Sequence, residues 1–395
     1  MLDGFSCLDL TDQQGQFTGR ILADLGMRVI KVEPPGGDPV RHLGPFKDDT
    51  VGPETSLPFA FMNGGKESIT LDVATDDGRR MLLDLVEHVD VVLESFAPGH
   101  MEGLGLGPAA LQTRNPGLIV SSLSPFGQDG PRSSYLATDM VAVAMGGLMF
   151  ISGDPALTPV RPPETQAFYY GSVFAAYGVL LSLFGRGDDG PGQALDVSMQ
   201  ESIATQEHMI REAAFDGVEI TRNGSQHKHT APANIFPCTD GHVYLFILSA
   251  RDWDRLLQLW PDHPAELDAP ELKPPANRRA HIELINPLVE AFTSKYAKGE
   301  LTTLLQTHGI PCLPVNSPTD FLNQDQVTAR DFFGELESPA LGRYQAPRFP
   351  ALFDGERPEP AGPPPACGQD NGALYGEWLG LGPADLELLS ARGVV

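Results

Sequence analysis

The chain has four cysteines, and their spacing along the sequence indicates whether they could bind a metal or form disulfides. Two thiolates held close together bind zinc or form a disulfide, and such pairs are often visible as CxxC motifs or as a regular cysteine framework. Here Cys7, Cys238, Cys312 and Cys367 are far apart and form no CxxC pair. The sequence therefore indicates neither a metal site nor a disulfide framework, and it fits a reducing cytoplasm.

A glycine-rich loop of the kind that holds a dinucleotide is absent from the first segment of the chain. Residues 5–10 are predicted to form a strand, residues 14–25 a helix that ends at Gly26, and residues 28–33 a buried second strand. This order implies two parallel strands. Because the segment lacks the GxGxxG fingerprint, we expect neither a nicotinamide nor a flavin cofactor.

The charge balance excludes one large class of partners. The chain has 27 Lys and Arg against 52 Asp and Glu, which gives a formal net charge of -25. Nucleic-acid binding needs a basic surface, so we expect no nucleic-acid partner. A small anionic ligand is still allowed, since a few basic side chains or helix N-termini are enough to hold it. The N-terminus resembles no signal peptide, and we expect a cytoplasmic protein.

The longest apolar run, residues 168–184, follows a polar lead-in of Glu164, Thr165 and Gln166. It is long enough for several helical turns, and Thr165 is available to cap them. A helix that is apolar all round is either buried in a large core or inserted in a membrane. Glycines and serines within the run, the lack of a basic flank and the acidic turn after it favour a core helix, so we expect no membrane partner.

Strands and helices alternate over residues 1–200, which is an α/β pattern. Further strands are predicted at 68–71, 89–93, 118–123 and 194–198, and helices at 76–88 and 140–149. The pattern changes after residue 198. There we predict a helix at 199–213, a β-hairpin that turns at Asp240-Gly241, and helices at 250–260, 279–294 and 298–307. A Pro-rich stretch at 358–365 is predicted to be a surface strap or linker, followed by two short helices.

Several separate motifs follow one another along the chain. They are CLDLT…ILADLGMRVIKVEPPGGDPVR, NGGKESITLD, DVVLESFAPGHMEGLGLG, SPFGQDGP, TDMVAVAMGGLM and GPGQALDVS, and later FPCTDGHVYL, GIPCLPVNSPTDFLNQDQV and LGLGPADLELLSARGVV. With these motifs the chain resembles, over essentially its whole length, the family III CoA-transferases. That family includes the formyl-CoA and carnitine CoA-transferases and α-methylacyl-CoA racemase.

The resemblance implies an α/β fold in two domains. A Rossmann-like large domain that binds CoA would contain residues 1–205 and 315–395, and a small α+β domain residues 206–314. In this family two chains interlock, each threading through a hole in the other, which would account for the long Pro-rich connections. The resemblance also implies that CoA lies in a cleft of the large domain, covered by the small domain of the partner.

The resemblance further implies a carboxylate nucleophile. In the family an Asp attacks the acyl-CoA thioester, forms a mixed anhydride and then carries CoA as a new thioester, close to amide donors that hold the oxyanion. This Asp lies one helical turn before a glycine at the start of the apolar helix. Matching that glycine to Gly171 places the nucleophile at Ala167, and alanine cannot perform this step.

Three other carboxylates lie near this helix in the sequence. Glu164 is the nearest, but an extended lead-in puts it about 10 Å from position 167, and a helix N-terminal charge is its favoured interpretation. Asp139 matches an Asp that the family often has, and we expect it to cap the helix that begins at residue 140. Asp196 is expected to be structural.

The racemase branch of the family uses a different set of residues. The resemblance places its His at Thr138, its Asp at Ala167 and its Glu near Ser249. Because none of these three side chains can do the acid–base chemistry of that branch, racemisation is not expected.

Part of the family's CoA-side pattern is retained. Gln14 matches an active-site Gln of the family, although the usual Gly-Pro after it is Gln16-Phe17 here. Asn63 and Lys66 match an NxGK motif. The resemblance therefore implies that these side chains lie close to CoA or to the reacting thioester.

Three charged residues and one aromatic complete the predicted CoA site. Lys31, Glu33 and Arg41 match the strand and loop near the nucleotide, and an Arg is a suitable ligand for a diphosphate. Lys31 is also interpretable as a strand-end lysine that extends to solvent. Phe96 is placed to stack on adenine or to be a core residue, and Ala97 stands where Arg is common in the family.

Three functions remain open from the sequence. One is a self-sufficient CoA-transferase with a relocated nucleophile. Another is a CoA-binding protein without catalysis. The function that we favour is the Asp-less subunit of a heteromer, as in two-subunit members such as benzylsuccinate CoA-transferase. Its partner would be a homologous chain that carries the Asp, or otherwise a second copy. Acyl-CoA and a carboxylic acid are the expected substrates, and the sequence does not identify either.

Overall fold

The computed structural model describes residues 1–188, 190–205 and 220–395. Contacts divide these residues into two units, of which the first contains residues 1–149, 161–188, 190–205 and 328–395 and the second residues 150–160 and 220–327. The domain boundaries expected at 205 and 315 remain predictions. In the structure, residues 150–160 and 315–327 belong to the second unit.

A six-stranded sheet forms the centre of the first unit, with the strand order β3-β2-β1-β4-β5-β6. Its strands are β1 (Ser6–Asp9), β2 (Arg28–Glu33), β3 (Glu67–Thr70), β4 (Val91–Glu94), β5 (Ile119–Ser124) and β6 (Ala194–Ser198). All neighbouring pairs are parallel, including β1 with β2. The predicted α/β fold is therefore confirmed, because parallel pairs need the helical connections that the sequence pattern indicated.

Helices connect and cover these strands. They are α1 (Gln16–Asp24), α2 (Leu57–Asn63), α3 (Asp76–Leu85), α4 (His100–Gly103), α5 (Pro108–Arg114), α6 (Asp139–Met145), α7 (Gln166–Arg186) and α8 (Met199–Ala204). The central strands β4 and β5 are buried along their whole length, as expected for strands with helices on both faces. Helix α8 ends earlier than the predicted 199–213, and residues 206–213 of that prediction lie outside the described residues.

Helix α7 is the predicted apolar helix, and it packs with one face on the sheet. A Cβ added at Gly171 would lie 2.9 Å from Leu123 of β5 and 3.1 Å from Met199, so only glycine permits this close approach. Among the described residues α7 is the one helix long and apolar enough to cross a membrane, and half of its apolar window is buried inside the protein. The burial supports the interpretation as a core helix.

The second unit is built around an antiparallel sheet of β7 (Ala233–Cys238), β8 (Gly241–Phe246) and β9 (Cys312–Pro314). The β7–β8 hairpin was predicted from its turn. Its helices are α9 (Ala250–Leu259), α10 (Pro275–Ala280), α11 (Ile282–Thr293) and α12 (Lys298–Thr307), followed by the short α13 (Pro318–Leu322) and α14 (Asp325–Ala329). Helices α9, α11 and α12 match predicted segments to within a few residues, whereas α10, α13 and α14 were not predicted.

The last part of the chain returns to the first unit. A hairpin of β10 (Phe333–Ser338) and β11 (Gly342–Pro347) was not predicted, because most of its residues are polar or exposed. The Pro-rich residues 358–365 have no helix or strand, as predicted for a strap. Helices α15 (Asn371–Leu379) and α16 (Pro383–Ala391) close the chain.

A fully buried arginine holds loops of the second unit together. The guanidinium of Arg278 donates to the carbonyl oxygens of Ala231 at 2.6 Å, Lys273 at 2.7 Å and Leu248 at 3.2 Å, and it lies 5.3 Å from the centre of the Trp253 ring. Burial lowers the pKa of Arg278 to about 10, which still leaves it charged at neutral pH. One side chain thus satisfies several buried carbonyl groups at once.

We expect Arg278→Met to destabilise the second unit by about 3 kcal/mol, because several buried carbonyl groups lose their donor. Urea unfolding followed by tryptophan fluorescence will measure this, since Trp253 lies directly against the substituted side chain. Arg251→Met, at an exposed position on α9, is the matched control. Equal unfolding midpoints for the two variants would contradict the role of Arg278 in stabilising the second unit.

Candidate functional site

The strand order of the sheet reverses between β1 and β4, and the loops that leave these strands meet there. The amide of Asp12 donates to the Ser95 hydroxyl at 2.9 Å, and that hydroxyl donates back to the Asp12 carboxylate at 2.8 Å. In open α/β sheets, ligands bind in the crevice at the carboxyl ends of strands where the order reverses. This crevice is therefore the candidate ligand site of the first unit.

Two of the predicted site residues, Gln14 and Phe96, lie on these two loops. The side-chain amide of Gln14 donates to Asp12 at 3.2 Å, while its carbonyl oxygen is buried without a hydrogen-bond partner among the described residues. Phe96 is half-buried and stacks on His100 at 4.8 Å between ring centres. An unsatisfied acceptor suits a ligand that carries donor groups. Phe96 also packs against the hydrophobic core, as the alternative interpretation from the sequence had it.

Lys66 and Asn63 form a buried cluster behind the loop that follows β1. The Lys66 ammonium donates to the Asp9 carboxylate at 2.7 Å, to the Asn63 side chain at 2.9 Å and to the Gln16 carbonyl at 2.8 Å. The Asn63 amide donates to the Gln16 side chain at 2.9 Å. Burial alone would raise the pKa of Asp9, but Lys66 and Lys31 outweigh it and hold the pKa below its usual range.

Glu33 and Arg41 form a second buried pair with two parallel hydrogen bonds of 2.6 and 2.7 Å. The Glu33 carboxylate also accepts from the Ser68 hydroxyl at 2.6 Å and from the Asp38 amide at 2.8 Å. Arg41 donates in addition to the carbonyl of Pro365 at 3.0 Å. Burial favours the neutral acid, but Arg41 and Ser68 outweigh it and lower the pKa of Glu33.

Lys31 links the two clusters. Its ammonium pairs with the Asp38 carboxylate at 3.0 Å and donates to the Thr11 carbonyl, and Asp38 also accepts from the Gln16 side chain at 2.8 Å. The interpretation of Lys31 as a side chain that extends to solvent is wrong, because it is 1% exposed. A buried ammonium at this place is stable only because the carboxylate and carbonyl around it replace water.

The structure therefore brings the predicted CoA-binding residues together in two groups. Gln14 and Phe96 lie on the loops that leave β1 and β4, where Phe96 also packs against the hydrophobic core. Five others are buried and paired within the chain: Lys31, Glu33, Arg41, Asn63 and Lys66. Through these contacts the five side chains hold together the carboxyl ends of β1, β2 and β3 and the loops that follow these strands. Direct contact between these five and CoA stays a prediction.

Ala167, the predicted nucleophile position, lies in the first turn of α7 and is fully buried. Its amide donates to the Asp139 carboxylate at 2.7 Å, and the amide of Phe168 donates to the same oxygen at 3.2 Å. Thr165 makes no side-chain capping bond, so the prediction that it caps α7 is wrong. The prediction for Asp139 was wrong as well, because this residue begins α6 and caps α7 instead.

Asp139 is a carboxylate in contact with position 167, whereas no contact of Glu164 with this position is observed. Glu164 is exposed and has a φ of 58°, an unusual backbone conformation for a glutamate. Burial raises the pKa of Asp139, although the amides of Phe168 and Ala167 oppose the shift. Asp196 accepts from the Gln128 amide at 2.9 Å, in keeping with a structural role. The sequence motif TDMV pointed to Asp139. Its contact with α7, which begins 27 residues later, could not be predicted from the local sequence.

The cysteines add no cluster of ligands. Cys7 and Cys312 are buried, and burial raises the pKa of Cys312 to about 12, so this thiol is neutral at physiological pH. Within the part of the chain that the structure describes, no group of three His, Cys, Asp or Glu side chains is placed to hold a metal ion.

Comparison with known proteins is consistent with this geometry. Residues 2–371 match the family model described as CoA-transferase family III. The chain is 34% identical, over 96% of its length and 94% of the relative's, to a succinyl-CoA–D-citramalate CoA-transferase of Chloroflexus aurantiacus. It is 29% identical, over 86% of its length and 84% of the relative's, to subunit BbsE of the succinyl-CoA:(R)-benzylsuccinate CoA-transferase of Thauera aromatica. A solved CAIB/BAIF family protein from Brucella suis matches with a TM-score of 0.85 at 26% identity, covering 95% of this chain and 99% of that one.

We expect Lys66→Met to lower the free energy of unfolding by about 3–5 kcal/mol, because it leaves the buried Asp9 carboxylate without its cation. Chemical denaturation will measure the loss. Arg114→Met removes a pair with Asp84 whose two side chains are 43% and 42% exposed, and we expect it to change stability by less than about 1 kcal/mol. Similar losses in both variants would contradict the importance of the buried cluster.

We expect Asp139→Ala to destabilise the protein by about 1 kcal/mol through loss of the α7 cap, whereas Asp139→Asn keeps an acceptor. Because the pKa of Asp139 is raised, the folded state holds its proton more tightly than the unfolded state does. Wild type should therefore lose stability relative to Asp139→Asn as the pH rises through the raised pKa. Urea unfolding at several pH values tests this, and a pH-independent difference would contradict it.

Proposed function

Because this chain belongs to CoA-transferase family III, we propose that it acts in moving CoA from an acyl-CoA to a free carboxylic acid, as the subunit of a heteromer that lacks the nucleophilic Asp. The observation that carries the proposal is Ala167. Its methyl group lies in the first turn of α7, where the family resemblance expects the carboxylate, and it has no reactive atom. A homologous chain that carries the Asp completes the enzyme.

The proposed reaction needs one carboxylate, which the partner supplies. Its Asp attacks the thioester carbonyl and the C–S bond breaks, which releases CoA as a thiolate and leaves the acyl group and the Asp joined in a mixed anhydride. The thiolate then attacks the Asp carbonyl, which releases the donor acid and leaves CoA on the Asp as a thioester. The acceptor acid attacks this thioester, forming a second mixed anhydride and freeing the thiolate. Attack of the thiolate on the acceptor carbonyl gives the new acyl-CoA and regenerates the Asp.

The amides at the start of α7 support the assignment of this chain as the Asp-less subunit. The N–H groups of Ala167 and Phe168 both donate to Asp139. In this arrangement they are not open to an oxyanion that develops on a substrate. The contribution of this chain is then to bind CoA. Gln14 and Phe96, on the loops that leave β1 and β4, are the residues that would contact it.

The relatives support both the heteromer and a first choice of substrate. One of them is named as a subunit of a benzylsuccinate CoA-transferase, and several are named for succinyl-CoA as donor. We therefore propose a homologous partner chain, interlocked with this one and located with it in the cytoplasm, and we choose succinyl-CoA as the first donor to test.

One observation favours a second candidate, a self-sufficient enzyme with a relocated nucleophile. The Asp139 carboxylate lies 2.7 Å from the amide of Ala167, so it stands beside the position of the missing Asp. Its raised pKa reflects partial desolvation, which strengthens a carboxylate as a nucleophile. Its bonds to two amides oppose this role, because they hold the negative charge in place.

Trapping separates the two candidates. The purified chain is incubated with labelled succinyl-CoA and then with hydroxylamine, and mass spectrometry locates any hydroxamate. We expect none on the chain alone. With the family member from the same organism that keeps the Asp, we expect turnover and a hydroxamate on the partner's Asp.

Each other outcome has a defined meaning. A hydroxamate on Asp139, absent in Asp139→Asn, supports the relocated nucleophile and overturns the subunit proposal. A hydroxamate on Glu164 would make Glu164 the relocated nucleophile and would also overturn the subunit proposal. Binding of CoA without turnover in either preparation would leave a CoA-binding protein as the function.

A further inference from the structure

We propose that Glu94 is a positioning residue of the crevice between β1 and β4, and that its carboxylate takes up a proton when an anionic ligand such as CoA binds there. The inference rests on the proposed function, in which this chain binds CoA, and names a residue that makes this binding depend on pH. Glu94 is the last residue of β4 and is 5% exposed.

The Glu94 carboxylate shapes the start of the loop that leaves β4. It accepts from the amide of Phe96 at 2.8 Å, and hydrogen bonds from an amide to a charged acceptor are among the stronger ones in proteins. Between these two residues lies Ser95, whose hydroxyl bonds to Asp12 on the facing loop. The contact therefore fixes the direction in which one wall of the crevice leaves the sheet.

Glu94 belongs to a polar row at the carboxyl ends of three strands. It lies opposite Ser122 of β5, which lies opposite Asp196 of β6, and the Ser122 hydroxyl bonds to the Glu94 carboxylate. Ser124 is two residues further along β5 and so shares the face of Ser122. It is fully buried, and its hydroxyl has no partner among the described residues. An unsatisfied buried hydroxyl is typical of a site that a ligand or a water molecule completes.

No basic side chain compensates the charge of Glu94. The charged groups that act on it are Glu102 of α4 and Asp196, both acidic, and no Lys or Arg among the described residues pairs with it. Burial and these two carboxylates raise the pKa of Glu94, although the Ser122 hydroxyl and the Phe96 amide oppose the shift. The carboxyl group is therefore close to accepting a proton.

Other buried carboxylates at the same end of the sheet are treated differently. Asp9 pairs with Lys66 and Glu33 pairs with Arg41, and the pKa of each acid is lowered. Because a buried carboxylate without a cation destabilises the fold, the position of Glu94 beside the crevice favours a role in binding.

An anionic ligand in the crevice adds to the repulsion that Glu94 already experiences. CoA carries phosphate groups, and nearby negative charge favours the protonated form of an acid. Protonation does not break the contact with Phe96, since a neutral carboxyl group keeps an oxygen that can accept from the amide. Binding therefore draws a proton onto Glu94, and by linkage a lower pH strengthens binding.

The test is the affinity of the full-length chain for CoA, measured by titration calorimetry between about pH 5 and 8. Buffers of different ionisation enthalpy count the protons that are taken up. Glu94→Gln keeps an acceptor for the Phe96 amide but cannot ionise, and Glu94→Ala removes the acceptor. Glu283→Gln, at an exposed position in α11, is the matched control.

We expect wild type and Glu283→Gln to take up a proton and to bind CoA more weakly as the pH rises, by up to about tenfold per pH unit relative to Glu94→Gln. Comparison with Glu94→Gln cancels the titration of the ligand's own phosphates, which occurs near about pH 6. Glu94→Ala should bind more weakly at every pH, because the loop loses its anchor at Phe96.

Two further variants test the neighbouring groups. Glu102→Gln removes a charge that acts on Glu94, so proton uptake should move to lower pH. His100 stacks on Phe96, and histidine side chains generally change charge in this pH range. His100→Gln should nevertheless keep the pH dependence. Loss of the dependence in His100→Gln would assign the proton to the histidine and overturn the inference.

Urea unfolding at the same pH values confirms that all variants are folded. Because the pKa of Glu94 is raised, wild type should lose stability relative to Glu94→Gln as the pH rises through that pKa. The inference is overturned if wild type and Glu94→Gln bind CoA with the same pH dependence, which would leave Glu94 a purely structural residue. It is also overturned if the chain binds no CoA at any pH.

Turnover with the family member that carries the Asp separates this inference from the proposed function. Proton-linked binding that depends on Glu94, without any transfer of CoA, leaves the inference standing and refutes the function. Transfer of CoA, with binding that is the same in wild type and Glu94→Gln at every pH, supports the function and refutes the inference.

Discussion

The buried ion pair between Glu33 and Arg41 is the constraint on which the first unit depends. Neither side chain has measurable exposure, so each charge must be fully compensated inside the protein. The compensation comes from distant parts of the chain, with Ser68 on β3 and the Pro365 carbonyl in the strap both bonded to the pair. Loss of Ser68 or of the Pro365 carbonyl leaves a buried charge with one hydrogen bond fewer, and loss of either charged residue leaves the other without its main counter-ion. The loops at the carboxyl ends of β1, β2 and β3 are therefore fixed together, and the crevice between β1 and β4 has a rigid wall.

The start of α7 is held by a carboxylate from another helix, α6. Position 167 carries an alanine, and the Asp139 carboxylate accepts from the amides of Ala167 and Phe168. This contact stabilises the fold and at the same time occupies donors that an acyl-transfer site needs for its oxyanion. The same polar groups cannot serve both purposes in one state of the molecule. The heteromer that we propose would resolve this conflict, because the second chain can keep its own helix N-terminus free.

Local patterns in the sequence predicted most of the fold and less of the site. Residues 28–33 and 194–198 were predicted with the observed bounds, because their turn residues and apolar composition are local signals. The β10–β11 hairpin was missed, since residues such as Glu335, Glu337 and Arg343 give it a polar surface. The burial of Lys31 was not predictable either. Its partners, Asp38 and the Thr11 carbonyl, become neighbours only when the parallel strands align, and no spacing along the chain records that alignment.

The end of the chain has a further consequence for how the molecule is made. Tyr375 donates to the carbonyl of Thr70, and Asp370 accepts from the amide of Ser68, across separations of 305 and 302 residues. During synthesis the edge strand β3 gains these two bonds only after residues 370–375 have been made. The described residues 220–327 are continuous in sequence, so they can reach their own structure earlier. Until residues 370–375 are made, the outer edge of the sheet at β3 lacks these partners and is open to pairing with another strand.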